Sequence, residues 1–410
     1  MPSPRIAIVG GGPAGLTLGV LLHKRCIPFT IFDLRQQPTD DELAKPSGML
    51  DLHEESGIAA LTECGLFDQF LLLTGECSEA QKVADKDGTI LHEDQGELSE
   101  RPEIPRHALI QLLSSQLPAE SIKWGHKLLS ATALTTPSGT ETELDFGPHG
   151  KHTFDLVVGA DGAWSRIRHL LTDVKPEYAE QQLITVTIRH VIAKYPHLAA
   201  MVGDGTFTAL GMRHGVMTHR GPQDSVRAYI ALTTTDEDFG VSSGLANQTA
   251  ASAKSRLLDD STLLGCWGDQ IKQLVAIACD EETADNPGPM DIRSLYRLPI
   301  GASWEHRNYA TVIGDAAHLM CPWAGEGVNL AMLDSLLLAN AITKAYESAG
   351  RDMPFQSQLD PLMKEFEDDM VARCKEKAEE THSNGQMLFG DDGAQAFAEF
   401  FRQVYQYAEA

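Results

Sequence analysis

The sequence lacks three features, and each absence argues against a class of protein. No run of 18 apolar residues is present, so we expect no membrane-spanning helix. The seven cysteines include no Cys-x-x-Cys pair, which argues against a zinc site; we expect no bound metal, and reduced thiols in a cytoplasmic protein. Basic residues are scarce, with 33 Lys and Arg against 58 Asp and Glu. The resulting net charge of -25 argues against nucleic acid and membrane surfaces as partners.

Length and hydrophobic content indicate a globular protein. With 410 residues, of which 42% are hydrophobic, we expect two or three domains around a substantial core. A strand pattern begins by about residue 5, which leaves no room for a secretory signal.

A glycine-rich turn lies near the start of the chain, between a predicted strand at 6–9 and a predicted helix at 16–22. Its residues match the Gly-x-Gly-x-x-Gly pattern of dinucleotide-binding turns: Gly10, Gly12, Pro13, Ala14 and Gly15. The first glycine of that pattern permits the tight turn, the second lets a pyrophosphate approach, and the third lets the helix pack on the strand. Asp33, 18 residues after Gly15 at the end of the next predicted strand, is suited to accept hydrogen bonds from a ribose. The pattern predicts a nucleotide site in a βαβ unit without separating NAD from FAD.

Two further motifs follow apolar strand patterns and favour FAD. They are Asp161-Gly162 and Gly314-Asp315. Asp315 would lie where the ribityl chain of a flavin hydrogen-bonds to a carboxylate. The loop 322–329 then brings small residues to the start of another predicted helix, and such an N-terminus stabilises the negative charge that develops at the pyrimidine edge of a reduced flavin.

The rest of the chain divides by its hydrophobic pattern. Residues 179–235 are β-rich with partial alternation, which predicts a half-buried sheet with one face toward something else. A helical insert is predicted at 248–280, and further helices at 356–381 and 394–407.

On these motifs the chain resembles the class A flavoprotein monooxygenases, and most closely the tetracycline-inactivating Tet(X)-type enzymes. The narrower resemblance is carried by segments 47–53, 104–106 and 314–329, and it is thin between 179 and 300. It implies an enzyme that binds FAD non-covalently, accepts electrons from NADPH and uses O2 to form a flavin C4a-hydroperoxide. That species would hydroxylate an aromatic or polycyclic small molecule, phenolic or enolised, so that no catalytic side chain is needed. Tetracycline is the leading candidate substrate, and we expect a monomer.

The resemblance also implies which residues bind the ligands. Asp51, Arg106 and Asp315 would contact FAD, Asp33 would contact its adenosine ribose, and Asp161-Gly162 would serve FAD pyrophosphate and NADPH. The full cofactor set is Gly10, Gly12, Pro13, Ala14, Gly15, Asp33, Arg35, Asp51, Arg106, Asp161, Gly162, Gly314, Asp315, Pro322, Gly325, Gly327, Val328 and Asn329. The substrate set is Thr185, Thr206, Met217, Arg227, Pro322, Trp323 and Gly325.

Three departures from the family pattern bear on function. Glu326 stands where the family usually has Gln, and the sequence leaves open whether this carboxylate lowers the flavin potential or faces solvent. Tetracycline-active members have Gln, Arg, Phe and His at four positions of the substrate sheet. Here those positions are aligned with Thr185, Thr206, Met217 and Arg227, so a substrate other than tetracycline stays open. Ala44 stands where the family has an arginine implicated in NADPH binding, so Lys45 or Arg35 would have to serve.

The predicted fold class is α/β. A discontinuous Rossmann-like FAD-binding domain is expected at 1–76, 106–178 and 295–350, a substrate-binding domain with a mixed β-sheet at 77–105 and 179–294, and C-terminal bridging helices at 351–410.

Three alternative functions remain open at this stage. They are an aromatic-metabolite hydroxylase that does not act on tetracycline, a flavin oxidase or reductase of the same fold, and a non-catalytic binder of planar ligands. A flavin-dependent halogenase is disfavoured, because no tryptophan lies in the Trp-x-Trp-x-Ile-Pro motif of those enzymes. His318 is expected to be a buried loop histidine rather than a base.

Overall fold

The computed structural model describes residues 3–74, 78, 80–96, 102–136, 139–349 and 354–408. Their strands are β1 (Ile6–Val9), β2 (Thr30–Phe32), β3 (Met49–Asp51), β4 (Gln81–Asp85), β5 (Ile90–Glu93), β6 (Glu103–Pro105), β7 (Ile122–Lys123), β8 (Ser130–Thr136), β9 (Gly139–Asp145), β10 (Lys151–Phe154), β11 (Leu156–Gly159), β12 (Glu177–Ile188), β13 (Thr206–Gly211), β14 (His214–Gly221), β15 (Ser225–Thr233), β16 (Asp291–Arg297) and β17 (Ala310–Val312).

The helices of the described residues vary from one turn to more than nine. They are α1 (Pro13–Lys24), α2 (Asp40–Leu43), α3 (Ala59–Cys64), α4 (Phe67–Leu71), α5 (Arg106–Ser114), α6 (Val191–Lys194), α7 (Pro196–Val202), α8 (Phe239–Ser242), α9 (Ala250–Asp259), α10 (Asp269–Asp285), α11 (Asp315–His318), α12 (Gly327–Ser348), α13 (Phe355–Leu388) and α14 (Gly393–Ala408). No helix among the described residues is both long and apolar enough to cross a bilayer.

A five-stranded parallel sheet forms the centre of the first layer, in the order β17-β11-β1-β2-β7. Strands β1, β11 and β17 are buried along their whole length in a core that also contains α1, α5 and α12, which explains their unbroken apolar sequences. A small antiparallel sheet, β10-β9-β8, and the pair β3-β6 complete this part. The βαβ unit predicted from the first glycine motif is present as β1-α1-β2.

A seven-stranded mixed sheet forms the second layer, in the order β16-β12-β15-β14-β13-β4-β5. Strand β4 pairs parallel with β13, whereas the other pairings are antiparallel. One face carries a core with α9 and α10, which together form the predicted helical insert. The predicted α/β fold with a mixed substrate sheet is therefore confirmed.

The C-terminal helices contact both layers. Apolar residues of α13, such as Met363 and Phe366, join the core of the parallel-sheet layer. Leu388 and Phe389 at its other end pack against the seven-stranded sheet with Ala394 of α14. The predicted domain boundaries at 76/77 and 350/351 lie outside the described residues, and the division into three units stays a prediction.

Candidate cofactor and substrate site

The three sequence motifs meet at one edge of the parallel sheet. Val9 of β1 pairs with Gly159 of β11, and Gly159 pairs with Val312 of β17. Because these strands are parallel and end in register, the segments that follow them lie side by side. This carboxyl edge is where open α/β sheets bind their ligands.

The first glycine motif forms a tight turn with open space in front of it. Gly10 has φ +115°, and a Cβ built on it would lie 2.0 Å from the carbonyl oxygen of Ala160. A Cβ on Gly15 would lie 1.9 Å from the Gly10 oxygen, so the helix packs directly on the turn. A Cβ on Gly12 would meet no atom within 4 Å, and Gly12 begins α1 without a side-chain cap. The first turn of α1 therefore presents unpaired N–H groups to a space that phosphates can fill.

Asp33 and Arg35 lie beside this turn, after β2. Asp33 Oδ2 accepts the Gly11 N–H at 2.6 Å, and the carboxylate also accepts the backbone N–H and guanidinium of Arg35 at 2.7 to 3.0 Å. Burial alone would raise the pKa of Asp33, but the hydrogen bonds from Arg35 and Gly11 lower it below its ordinary value. Asp33 is thus an ionised acceptor, which a ribose would share with Arg35.

The Asp161-Gly162 segment is fixed by the buried side chain of Arg168. The Arg168 guanidinium donates to the carbonyls of Ala316 at 3.0 Å and Ala163 at 2.7 Å, which joins this loop to α11. Asp161 Oδ2 accepts the Arg166 N–H at 2.8 Å, and burial raises the pKa of Asp161. A Cβ on Gly162 would meet nothing within 4 Å, so this loop also faces open space.

A buried network beneath Gly314 holds the third motif. Asp334 Oδ2 accepts the Gly314 N–H at 3.1 Å and lies 2.6 Å from His318 Nε2, and Arg373 lies 3.5 Å from the other carboxylate oxygen. Burial would lower the pKa of His318, but Asp334 raises it well above the ordinary value. Cys374 is near enough to make a three-ligand cluster with His318 and Asp334. Because Asp334 already serves a backbone N–H and two cationic groups, we assign this cluster to positioning Gly314.

Asp315 and Arg106 face the open side of the same edge. Both side chains are exposed, and neither makes a hydrogen bond or ion pair with a described residue. Desolvation by the surrounding protein nevertheless lowers the pKa of Arg106, while the charge of Asp315 raises it. The Arg106 guanidinium is thus accessible to solvent although protein surrounds it, as expected for a group that lines a concave surface. Arg106 therefore offers unused donors to a ligand there.

Asn329 ties the 322–329 loop to β3. Its Oδ1 accepts the His53 N–H at 2.9 Å, and its Nδ2 donates to the Asp51 carbonyl at 3.0 Å. A Cβ on Gly325 would lie 3.6 Å from the Asp51 carboxylate oxygens. The Asn329 amide thus positions the loop. Among the other predicted loop residues, Pro322 is exposed, Val328 is half-buried in the first turn of α12, and a Cβ on Gly327 would meet nothing within 4 Å.

Glu326 does not face solvent. It is 9% exposed, and its Oε1 lies 2.6 Å from Lys377 Nζ of α13. Its Oε2 lies 3.5 Å from His53 Nδ1. Burial would raise the pKa of Glu326, but His53 and Lys377 outweigh that effect and lower it to about 2. The departure from the family glutamine is thus an ionised carboxylate with two partners.

Trp323 links the loop to the seven-stranded sheet. Its Nε1 donates to Gln181 Oε1 at 3.0 Å, and its ring packs edge-on against Phe389 with 4.8 Å between centroids. The Trp323 side chain thus connects the loop to both the seven-stranded sheet and the end of α13.

The four predicted substrate residues that belong to strands lie on one face of the seven-stranded sheet, in two rows. Thr185 pairs with Tyr229 and Tyr229 with Met217, which forms the first row. Arg227 pairs with His219 and His219 with Thr206, which forms the second row two residues further along the strands. Residues paired across strands, and residues two apart along a strand, share a face. Thr206 lies at the far end of its row, three strands from β12.

The first row is directed at the parallel-sheet layer. A Cβ on Gly48, next to β3, would lie 3.0 Å from the Tyr229 hydroxyl oxygen. Thr185 is buried, and its hydroxyl has no partner among the described residues. Arg227 stacks over the Tyr229 ring at 5.9 Å and leaves its buried Nε unpaired within the described chain. Unsatisfied polar atoms here are suited to a polar ligand.

The sequence motifs did not predict three residues that the structure places in this region. Tyr229 lies two residues after Arg227, so strand alternation would have placed it on the same face. Arg293 pairs with Leu183 and lies close enough to Arg106 to lower its pKa, but only the register reveals this. Lys377 lies in a charged helical stretch and carries no local signal.

The glycines provide a test of whether a nucleotide fits. Gly12, Gly162 and Gly327 come from three separate loops, yet each has empty space where a side chain would begin. Together with the free Arg106 and the ionised Asp33, they form a cradle of backbone amides and charged groups that matches a dinucleotide.

Comparison with known proteins agrees with this geometry. The FAD binding domain family matches residues 4–264 and 278–354. The chain belongs to this family. Monooxygenase penA of Penicillium thymicola is 36% identical over 95% of this chain and 96% of its own. The protein is therefore an FAD-dependent monooxygenase of the class A type, as the motifs predicted.

Solved structures agree on the fold of this monooxygenase. Klebsiella pneumoniae HpxO with FAD and uric acid has a TM-score of 0.73 and 14% identity, covering 98% of this chain and 93% of its own. Tetracycline destructase Tet(51) has a TM-score of 0.68 and 16% identity, covering 100% and 97%. At such identities the likeness establishes the fold alone. The narrower resemblance to tetracycline-inactivating enzymes therefore stays a prediction.

Proposed function

We propose that this monooxygenase uses NADPH and O2 to hydroxylate a planar phenolic, polycyclic or enolised molecule bound beneath the seven-stranded sheet. The observation that carries the proposal is the row Thr185–Tyr229–Met217, whose Tyr229 hydroxyl lies against Gly48 of the parallel-sheet layer. A flat ligand between this row and the flavin would be enclosed on both faces.

The proposed FAD site uses all three motifs. Unpaired N–H groups of α1 bind the pyrophosphate, while Asp33 and Arg35 hold the adenosine ribose. Asp51, Arg106 and Asp315 contact the flavin half. Bound FAD supplies electron transfer from the nicotinamide and activation of O2. The N-terminus of α12, after Gly325, stabilises negative charge on the flavin ring.

The proposed substrate pocket combines apolar contact with a few polar groups. Met217 and Trp323 offer apolar surface, and Thr185 and Tyr229 offer hydroxyls. Arg227 offers a guanidinium with an unused nitrogen. A pocket with so few polar groups fixes the orientation of a flat ligand, and with it the carbon that reacts.

The identity of the reductant rests on the family resemblance. Arg35 is engaged by Asp33, which leaves exposed Lys45 as the cation nearest to Ala44 in sequence. We therefore propose that Lys45 contributes to NADPH binding.

Tetracycline is the specific substrate that the resemblance suggests, whereas the name of monooxygenase penA specifies no substrate. The first experiment is NADPH oxidation by FAD-loaded protein with and without tetracycline, and then with a panel of phenols and planar heteroaromatics under ¹⁸O2. Stimulated oxidation with a product heavier by one labelled oxygen supports the proposal and identifies the substrate. Oxidation that yields only hydrogen peroxide with every ligand that binds would overturn it in favour of an oxidase.

A further inference from the structure

The carboxylate of Glu326 lies within a line of ionisable side chains that runs from the candidate flavin site to the surface. Asp51 Oδ2 is 3.1 Å from His53 Nε2, and His53 Nδ1 is 3.5 Å from Glu326 Oε2. Glu326 Oε1 is 2.6 Å from Lys377 Nζ, which also contacts the exposed Glu380 at 3.1 Å. We call Asp51, His53, Glu326 and Lys377 the ionisable array.

The inner part of this array is shielded from water. His53 and Glu326 are buried, whereas the Lys377 side chain is one-third exposed and Glu380 about half exposed. The low pKa of Glu326, about 2, means that its negative charge is present at any physiological pH. The low-dielectric surroundings make that charge felt at a longer range than at a surface.

A buried negative charge at this position has an electrostatic consequence. Glu326 is the residue immediately before α12, at the helix end whose positive dipole favours negative charge on a ligand. An uncompensated carboxylate there would oppose charge developing on a reduced flavin. Lys377 offsets it by an ion pair from a different helix.

We propose that Lys377 is a positioning residue that neutralises Glu326 and thereby sets the reduction potential of the flavin. The proposal rests on the FAD site proposed above, because it requires the flavin ring to lie near the 322–329 loop. Lys377 acts through Glu326 and does not itself need to touch the cofactor.

The array predicts opposite shifts of the flavin potential when Lys377 and Glu326 are replaced. Lys377→Met removes the ion pair that offsets the Glu326 charge and leaves His53 as its remaining contact, which disfavours the anionic reduced flavin and lowers the potential. Glu326→Gln removes the negative charge and raises the potential. Each change should alter the ratio of reduced to oxidised enzyme about tenfold at a fixed applied potential, or about 30 mV for a two-electron couple. The double variant should return close to the wild-type value.

The test is spectroelectrochemical titration of the FAD-loaded full-length protein. Lys375→Met is the matched control, because it removes one charge from the same helix at an exposed residue that contacts Glu379 rather than Glu326. Lys377→Arg keeps the positive charge, and this variant should therefore have the wild-type reduction potential. Equal potentials for Lys377→Met and Lys375→Met, or shifts of the same sign in Lys377→Met and Glu326→Gln, would overturn the proposal.

Failure of the proposed FAD site would look different. If Gly12 and Arg106 variants bound FAD normally, the cofactor would lie elsewhere. If FAD binding depends on those residues and the two potentials nevertheless fail to diverge, the FAD site stands and only the role of Lys377 is wrong.

Discussion

Lys377 Nζ lies 2.6 Å from Glu326 Oε1, and this ion pair joins the middle of α13 to the loop that begins α12. Since α13 also packs on the parallel-sheet layer and on the seven-stranded sheet, this ion pair ties the loop to a helix that contacts both layers. Asn329 holds it from the β3 side. The loop is thus clamped between two distant parts of the chain.

The pH dependence of stability should reflect the depressed pKa of Glu326. Its ionised form stabilises the fold at pH above its ordinary pKa of 4.5, and this contribution is lost as pH falls toward about 2. We expect wild type to exceed Glu326→Gln in free energy of unfolding by an amount on the order of 2 kcal/mol at pH 6, and the difference to narrow by pH 3. Urea unfolding at each pH measures it. Glu379→Gln, at an exposed carboxylate of α13, is the control; a difference independent of pH would contradict the expectation.

Thr185→Val should stabilise the protein without its ligand. The Thr185 hydroxyl is buried without a partner among the described residues, and burying such a group costs about 1 kcal/mol or more. We expect thermal denaturation to show that the free energy of unfolding rises by about 1 kcal/mol. Substrate-stimulated oxidation by the variant should yield less hydroxylated product for each NADPH consumed. Thr208→Val, at the far end of the same row, is the comparison. A loss of stability in Thr185→Val would indicate that the hydroxyl has a partner in the free protein.

Arg106→Met should separate binding from stability. The Arg106 guanidinium makes no hydrogen bond or ion pair with a described residue, and the surrounding protein lowers its pKa, so its removal should leave the unfolding free energy of the apoprotein unchanged or higher. FAD affinity should fall about tenfold or more, because a charge-assisted hydrogen bond is lost. Fluorescence titration with FAD measures the affinity. Arg293→Met tests the neighbouring sheet arginine and should affect substrate affinity instead; equal FAD affinity in Arg106→Met and wild type would place the flavin away from α5.

The parts of the site that sequence predicts are those whose geometry is local. A strand, a glycine turn and a helix in succession determine where Gly10 to Gly15 lie, and the parallel pairing of β1, β11 and β17 then brings the other motifs alongside. Composition and alternation likewise located the four strands β12 to β15 of the seven-stranded sheet, but not β4, β5 and β16. These features depend on backbone conformation over a few residues, which short patterns encode.

Contacts between distant segments were not predictable in this way. Whether Glu326 faces solvent depends on Lys377, 51 residues later, and on the path of α13 across the fold. Arg293 reaches the Arg106 region only because β16 pairs with β12 in one particular register. A shift of one residue would reverse the face on which Arg293 lies, and no local pattern specifies that register.

The two glycines of the first motif should fail in different ways when replaced. A Cβ on Gly10 would lie 2.0 Å from the Ala160 oxygen and the backbone has φ +115°, so Gly10→Ala should destabilise the apoprotein by about 2 kcal/mol or more. A Cβ on Gly12 would meet no atom within 4 Å, so Gly12→Val should fold with nearly wild-type stability. The valine would instead occupy the space of the pyrophosphate and reduce FAD affinity roughly 100-fold. Calorimetry of the apoproteins and FAD titration together distinguish the two effects. Wild-type FAD affinity in a folded Gly12→Val variant would mean that the dinucleotide does not cross the start of α1.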